Sequence, residues 1–156
     1  MQQLTIGTSA PLFTLLNAEG SSISLASFLG KKVLIYFYPK AMTPGCITQA
    51  CGMRDSKNEL ESLNTIVLGI SPDPVNKLAA FTSKKSLNFT LLSDEDHKIA
   101  SSYGVWGEKK FMGKTYDGIH RISFLINEKG IVEEVFDKFK TKNHHEVILQ
   151  YLTSVK

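Results

Sequence analysis

The sequence predicts a three-layer α/β domain, and three observations lead to that prediction. Residues 32–39 (KVLIYFYP) and 64–71 (NTIVLGIS) are runs of apolar and β-branched residues, as in strands buried on both faces. Each run is followed by a segment with helix signals, beginning at Pro44 and at Pro74. Strands that alternate with helices in this way favour a mixed sheet flanked by helices.

The remaining segments continue the alternation. They are a hairpin in residues 12–25, a strand in 89–94, helices in 74–86, 95–104 and 143–155, and two strands in 120–136 about a turn at 127–130. The helix from Pro44 is expected to run for about 18 residues, weakened in its middle by Gly52. Asn143 is expected to cap the last helix. Residues 106–118 show no clear pattern and are predicted to be irregular.

Composition limits the classes of function. A chain of 156 residues with 42% apolar and 21% charged residues predicts one domain spanning residues 1–156. The net charge is +3 and the basic residues are scattered, so no nucleic-acid partner is expected. The N-terminus lacks a signal-peptide pattern and no apolar run is long enough for a membrane span, which predicts a cytoplasmic protein without a membrane partner.

The two cysteines, Cys46 and Cys51, suggest redox chemistry or metal binding, because a permanent disulfide is unusual in a reducing compartment. With Thr43 as N-cap and Pro44 as the first helical residue, Cys46 falls in the first turn of a helix. Free amide N–H groups and the positive end of the helix dipole favour a thiolate there. Cys46 is therefore the predicted nucleophile.

Cys51 lies five positions further along the same predicted helix. That spacing corresponds to a rise of about 7.5 Å and a Cα separation of about 9 Å, whereas a disulfide tolerates about 7 Å. Either the two cysteines never bond, or the first turns of the helix unwind when they do. Gly45 and Gly52 make unwinding easier by roughly 1 kcal/mol each. Oxidation of Cys46 to a sulfenic acid, followed by condensation with Cys51, would suit this arrangement, and that chemistry is peroxide reduction.

His144 and His145 raise the alternative of a metal site. The cysteine spacing and the adjacent histidines do not match the usual zinc pattern. Both histidines are expected to face solvent at the start of the last helix, and no metal is expected.

The segment PKAMTPGC contains Pro39, Thr43 and Cys46 in the Pro-x-x-x-Thr-x-x-Cys pattern, and ITQAC adds the second cysteine. The chain thereby resembles the peroxiredoxins, specifically the Q-type or bacterioferritin comigratory protein subfamily. The resemblance extends along nearly the whole chain, through the segments LGISPDPVNKLAAF, LLSDEDHKIASSYGVWGEK and GIHRISFLINEKGIV.

The resemblance implies a thioredoxin-like fold and thiol-dependent reduction of hydrogen peroxide and organic hydroperoxides, with no metal or organic cofactor. Cys46 would be the peroxidatic cysteine. Cys51 would be the resolving thiol, forming an intramolecular disulfide that thioredoxin or a similar dithiol protein reduces, and the protein would be a monomer. Thr43 would donate a hydrogen bond to the peroxide, Pro39 would shield the site from water, and Arg121 would stabilise the thiolate and the leaving oxygen.

The chain departs from the subfamily pattern at two positions. Relatives usually carry Asp at the position of Ala41 and Glu at that of Gln49. Residue 49 lies close to the helical face of Cys46, where a carboxylate could orient an arginine. Gln49 can still form a hydrogen bond but carries no charge, and activity is expected to survive.

Simpler structural roles would also account for the site residues. Thr43 could cap the helix as well as bind peroxide, Pro39 could only end its strand, and Arg121 could be a surface charge. Trp106 and Phe111 are expected to serve in packing.

Two other functions remain open from the residues alone. A thioredoxin-like thiol-disulfide oxidoreductase would act on protein disulfides, although such proteins generally carry Cys-x-x-Cys. A non-catalytic binding domain would carry its cysteines incidentally.

Overall fold

The computed structural model describes residues 2–155 and contains a seven-stranded sheet with a separate two-stranded hairpin. The nine strands are β1 (Thr14–Asn17), β2 (Ser22–Ser24), β3 (Lys32–Phe37), β4 (Thr65–Ser71), β5 (Thr90–Ser93), β6 (Trp106–Phe111), β7 (Lys114–Ile119), β8 (Ser123–Ile126) and β9 (Val132–Phe136). The helices are α1 (Pro44–Asp55), α2 (Lys57–Ser62), α3 (Val75–Lys84), α4 (Lys98–Ser102) and α5 (His144–Ser154), and Leu25–Phe28 form a 3₁₀ turn.

The main sheet is mixed, as predicted. Its strand order is β2-β1-β5-β4-β3-β8-β9. The central strands β3, β4 and β5 are parallel, and β1, β2, β8 and β9 join them in antiparallel pairs. The N-terminal hairpin β1–β2 also matches its prediction.

Strand β3 shows why the domain has three layers. Its side chains alternate between two buried clusters, with Val33, Ile35 and Phe37 in one and Leu34 and Tyr36 in the other. The first cluster also contains residues of α4, and the second contains residues of α1, α2, α3 and α5. A strand buried on both faces reads as a continuous apolar run, which is what residues 32–39 show.

The helix predicted as one segment of about 18 residues is two helices. Ser56 has ψ of 2°, away from the helical value, and it separates α1 from α2. The break gives the two helices different neighbours, since α1 packs against α5 and α2 against β4. A continuous helical prediction for this region is therefore wrong at Ser56.

Two further predictions differ from the structure. Residues 106–118 are not irregular, because β6 and β7 pair from Trp106↔Ile119 to Phe111↔Lys114. Their two-residue turn has positive φ at both Met112 (52°) and Gly113 (79°), and methionine is not a residue that signals such a turn. Asn143 precedes α5, but its side chain accepts a hydrogen bond from the Lys140 amide (2.8 Å) and does not cap the helix.

Within residues 2–155, no helix has the length and apolar character that crossing a membrane would require. The same part of the chain holds no cluster of three or more His, Cys, Asp and Glu side chains arranged for a metal ion.

Candidate active site

Helix α1 begins where the sequence predicts. Thr43 has extended backbone angles, Pro44 is the first helical residue, and the Ile47 amide donates to the Thr43 carbonyl at 2.8 Å. Cys46 therefore lies in the first turn. The Thr43 hydroxyl donates to the Lys40 carbonyl (2.8 Å), so the predicted side-chain cap is wrong.

One face of α1 is buried against the sheet. It consists of Cys46, Gln49, Ala50 and Met53, which have the i, i+3, i+4, i+7 spacing of a buried helical stripe. Cys46 is only 1% exposed. Its thiol thus lies in a largely dehydrated environment, where a charged hydrogen-bond donor has a larger effect than in water.

Arg121 supplies that donor. It lies between β7 and β8 and is half-buried. Its Nη2 donates to Cys46 Sγ at 3.2 Å, and its Nη1 donates to Gln49 Oε1 at 2.8 Å. The structure therefore brings together two predicted residues that are 75 positions apart in the chain.

Gln49 links the arginine to the same helix as the cysteine. The side chain is fully buried, and its carbonyl oxygen accepts a hydrogen bond from Arg121, at the position where a carboxylate could orient an arginine. This bond holds the guanidinium without a carboxylate. Its Nε2 has no protein hydrogen-bond partner within residues 2–155.

Gly45 has a role that sequence reasoning missed. A Cβ at this position would lie 3.1 Å from Arg121 Nη2, closer than most side-chain contacts. The glycine therefore leaves room for the guanidinium to reach the first turn of α1. The signal was the glycine immediately before Cys46, which the sequence analysis treated only as a helix-weakening residue.

Asp73 is a second residue that the sequence analysis missed. Its Oδ2 accepts hydrogen bonds from the Ala41 amide (2.7 Å) and from the Ser71 hydroxyl (2.8 Å), and the residue is 7% exposed. These bonds hold the segment between β3 and α1, in which Met42 has a φ of 67° and Pro39 is half-buried. The signal was an aspartate just after a buried strand, at the sheet edge where open α/β folds place their sites.

The β6–β7 hairpin carries a lysine toward the site. Lys109 Nζ donates to the Ile119 carbonyl at 2.8 Å. Burial, and after it the positive charge of Arg121, lower the pKa of Lys109, while Cys46 acts in the opposite direction. A second cationic group therefore lies within electrostatic range of Cys46 and Arg121.

The aromatic residues of this hairpin differ from one another. Trp106 stacks on His97 with ring centroids 3.8 Å apart, in agreement with a packing role. Phe111 is 65% exposed, so the packing role expected for it is wrong.

The two histidines do not face solvent, because α5 docks its first turn against α1 and the sheet. His144 is fully buried, and its Nε2 is 2.8 Å from the Ser123 hydroxyl. Burial is the main cause that lowers the pKa of His144 to about 3, and the charges of His145 and Arg121 add to it. His145 is half-buried and lies against Gly52.

Cys51 differs from Cys46 in its environment. Both are free thiols on α1, but Cys51 is partly exposed. It lies off the buried stripe, since five residues correspond to about 140° of net rotation. The intact helix therefore keeps the two side chains in different surroundings.

A family model with the description AhpC/TSA family matches residues 6–135. The chain belongs to this family. Its similarity to individual proteins extends over nearly the full length. It is 66% identical over 155 residues to a putative peroxiredoxin Bcp of Haemophilus influenzae, covering 99% of this chain and 100% of that one. It is 59% identical over 152 residues to peroxiredoxin Bcp of Escherichia coli, covering 97% of both.

Solved structures agree with the sequence comparison. Peroxidoxin BcpB of Mycobacterium tuberculosis has a TM-score of 0.87 at 31% identity, covering 99% of each chain. A bacterioferritin comigratory protein of Xanthomonas campestris, studied for alkyl peroxide reduction, has a TM-score of 0.86 at 31% identity, covering 92% of this chain and 91% of that one. The predicted thioredoxin-like fold and peroxiredoxin family are confirmed. This chain is a thiol-dependent peroxidase, whose turnover needs a peroxide and a thiol reductant.

Proposed function

We propose that Cys46 is the peroxidatic cysteine and that Cys51 resolves its oxidised form. The observation that carries the proposal is the 3.2 Å hydrogen bond from Arg121 Nη2 to Cys46 Sγ in the first turn of α1. A guanidinium donor and a helix N-terminus at one sulfur both favour the thiolate.

In the first step the Cys46 thiolate attacks one peroxide oxygen. The S–O bond forms as the O–O bond breaks, the sulfur is oxidised to sulfenic acid, and the leaving oxygen takes a proton to become water or an alcohol. Arg121 stabilises the negative charge that moves from sulfur to the leaving oxygen. Gln49 orients the guanidinium through the 2.8 Å bond to Nη1.

Thr43 and Pro39 act on the substrate side of the site. The Thr43 proton is shared with the Lys40 carbonyl, so the hydroxyl must change partner in order to donate to a peroxide. Pro39, half-buried between β3 and α1, excludes water from the cysteine. Asp73 positions the segment that contains both residues through the Ala41 amide.

In the second step α1 opens and the Cys51 thiol attacks the sulfenic sulfur, so that an S–S bond forms and water leaves. Opening is required because an intact helix keeps the two Cα atoms about 9 Å apart. A dithiol protein of the thioredoxin type then reduces the disulfide by exchange and becomes a disulfide itself. The protein works as a monomer in the cytoplasm, and needs neither a metal nor an organic cofactor.

The test is mass spectrometry after one equivalent of peroxide. The wild-type protein is expected to lose two hydrogens as the intramolecular disulfide forms. Cys51→Ser is expected to gain one oxygen at Cys46, trapped as an adduct with dimedone. Cys46→Ser is expected to gain nothing, and normal peroxide consumption by this variant would refute the assignment.

The reductant is tested separately. Thioredoxin with its reductase should sustain turnover of the wild-type protein and not of Cys46→Ser. Turnover that another thiol reductant sustains and thioredoxin does not would refute thioredoxin as the reductant.

A further inference from the structure

Helix α5 contacts α1 at the residue that follows Cys51. A Cβ added to Gly52 would overlap Nδ1 of His145 and would lie 3.0 Å from its Cε1 and 3.1 Å from its Cγ. These three atoms include Cγ, where the ring joins Cβ, and form one edge of the ring. A small rotation of the side chain would therefore not relieve the overlap. Only glycine allows the ring to approach the helix this closely.

The contact is largely enclosed. The His145 side chain is 25% exposed, and its Nδ1 is buried without a hydrogen-bond partner within residues 2–155. Its Nε2 lies 3.9 Å from Glu146 Oε1, at the outer limit of an ion pair. The ring therefore contributes to the site by packing on the α1 backbone.

Gly52 is unfavourable in the interior of a helix. The packed ring offsets this disadvantage, but only while α1 is helical and Gly52 keeps its place beneath the ring. When α1 opens, the contact is lost and the flexibility of glycine remains. The pair thus favours the closed helix at the position next to Cys51.

We propose that His145 is a positioning residue for the resolution step: by packing on Gly52 it holds Cys51 in α1 and sets how often the helix opens. This inference rests on the proposed function of Cys51 as the resolving thiol. Cys46 sulfenic acid has two fates, condensation with Cys51 to a disulfide with loss of water, or attack on a second hydroperoxide to give sulfinic acid and an alcohol or water. The His145–Gly52 contact slows disulfide formation and therefore sets the share of Cys46 that becomes sulfinic acid.

The test follows a single turnover of His145→Ala by rapid quenching, thiol alkylation and intact mass. Disulfide formation is expected to be about fivefold faster than in the wild type, which corresponds to about 1 kcal/mol. The sulfinic share at excess peroxide is expected to fall in proportion, and the rate of the first oxidation is expected to stay unchanged. A disulfide rate that is unchanged or slower would overturn the proposal.

Two further variants separate ring packing from a general effect on the helix. In the His145→Ala background, Gly52→Ala should slow disulfide formation about fivefold, because alanine stabilises a helix relative to glycine. With His145 present, the same substitution should not slow it, because the Cβ displaces the ring. Equal slowing of disulfide formation in both backgrounds would contradict the proposal. A His145→Phe variant that forms the disulfide as fast as His145→Ala would also contradict it.

Tyr151→Phe is the matched control. It removes the 2.8 Å hydrogen bond from Tyr151 to Glu133 on β9. The substitution thus weakens the attachment of α5 to β9 and leaves the His145–Gly52 contact in place. Its disulfide rate should equal that of the wild type, and a rate as fast as that of His145→Ala would overturn the proposal. If the wild-type protein forms no Cys46–Cys51 disulfide, the proposed function fails; if it forms one and His145→Ala does not accelerate it, only this inference fails.

Discussion

The first turn of α1 and its second half hold the two cysteines in opposite ways. The first turn buries Cys46 on the stripe that faces the sheet and gives it Arg121 as a hydrogen-bond donor. The following turns leave Cys51 partly exposed, beside a glycine that a histidine ring covers. The first turn surrounds a buried sulfur with a charged donor, and the second half combines glycine, a weak helix former, with the ring of His145 packed against it. Under the proposed function, the first turn keeps Cys46 in a fixed geometry for its oxidation, and the contact at Gly52 controls the opening that brings Cys51 to it.

The largest expected effect comes from removing the guanidinium from the first turn. Arg121→Met should lower the rate of Cys46 oxidation about 10²- to 10³-fold, because the charge that develops on the leaving oxygen loses its donor. Stopped-flow oxidation by hydrogen peroxide measures this rate. Alkylation of Cys51 in the same variant should keep its wild-type rate.

Arg121→Lys is the matched control for that loss. It keeps the positive charge but presents one nitrogen in place of the planar guanidinium that reaches Cys46 and Gln49 through two, so its rate should lie between those of the wild type and Arg121→Met. Oxidation of Cys46 in Arg121→Met at the wild-type rate would show that the first turn of α1 does not depend on the guanidinium for its chemistry.

Acidic pH should lower the stability of the folded protein through His144, the buried residue in the first turn of α5. The pKa of His144 is lowered to about 3 by burial, whereas it is about 6.5 in an unfolded chain. Between these values the unfolded state binds a proton that the folded state does not, so stability falls as pH falls. From pH 7 to pH 5 the wild-type protein should lose about 2 kcal/mol more than His144→Gln.

Urea unfolding of both proteins at the two pH values measures this difference. Asp94, whose pKa is raised by burial, titrates in both proteins and cancels from the comparison. Parallel pH dependence of the two proteins would mean that His144 does not stay neutral when the protein folds.

A smaller effect is expected from the link between Arg121 and α1. Gln49→Met removes the acceptor of the 2.8 Å bond and should slow Cys46 oxidation about tenfold, because the guanidinium loses the partner that orients it. Gln49→Glu keeps an acceptor and should oxidise at least as fast as Gln49→Met. Equal rates for Gln49→Met and the wild type would show that Gly45 and the surrounding packing orient the arginine without Gln49.

Much of the fold was predictable because it is encoded locally. Strand β3 is an uninterrupted apolar run, and Pro44 fixes the start of α1 through its preference for the first helical position. The β6–β7 hairpin escaped prediction because its residues are mostly exposed and polar, so apolar alternation could not reveal it. The break at Ser56 escaped because it depends on which neighbours α1 and α2 pack against.

The candidate site divides in the same way. Cys46, Cys51, Thr43 and Pro39 could be recognised because they lie within one short segment of the chain. His145 could not, because it acts through contact with Gly52, a residue far away in the sequence. Asp73 had a local signal in its place just after a buried strand, but the Ala41 amide that it binds is 32 positions away.

The sequence by itself determined where α1 starts and which sulfur lies in its first turn, because helix signals act between residues a few positions apart. Only the tertiary structure decided that Arg121 reaches that sulfur, that Gln49 holds the arginine, and that a histidine covers Gly52. Those contacts join α1 to the segment before β8 and to α5. Such long-range contacts depend on how the helices dock on the sheet, and that docking cannot be predicted from patterns among residues that are close together in the sequence.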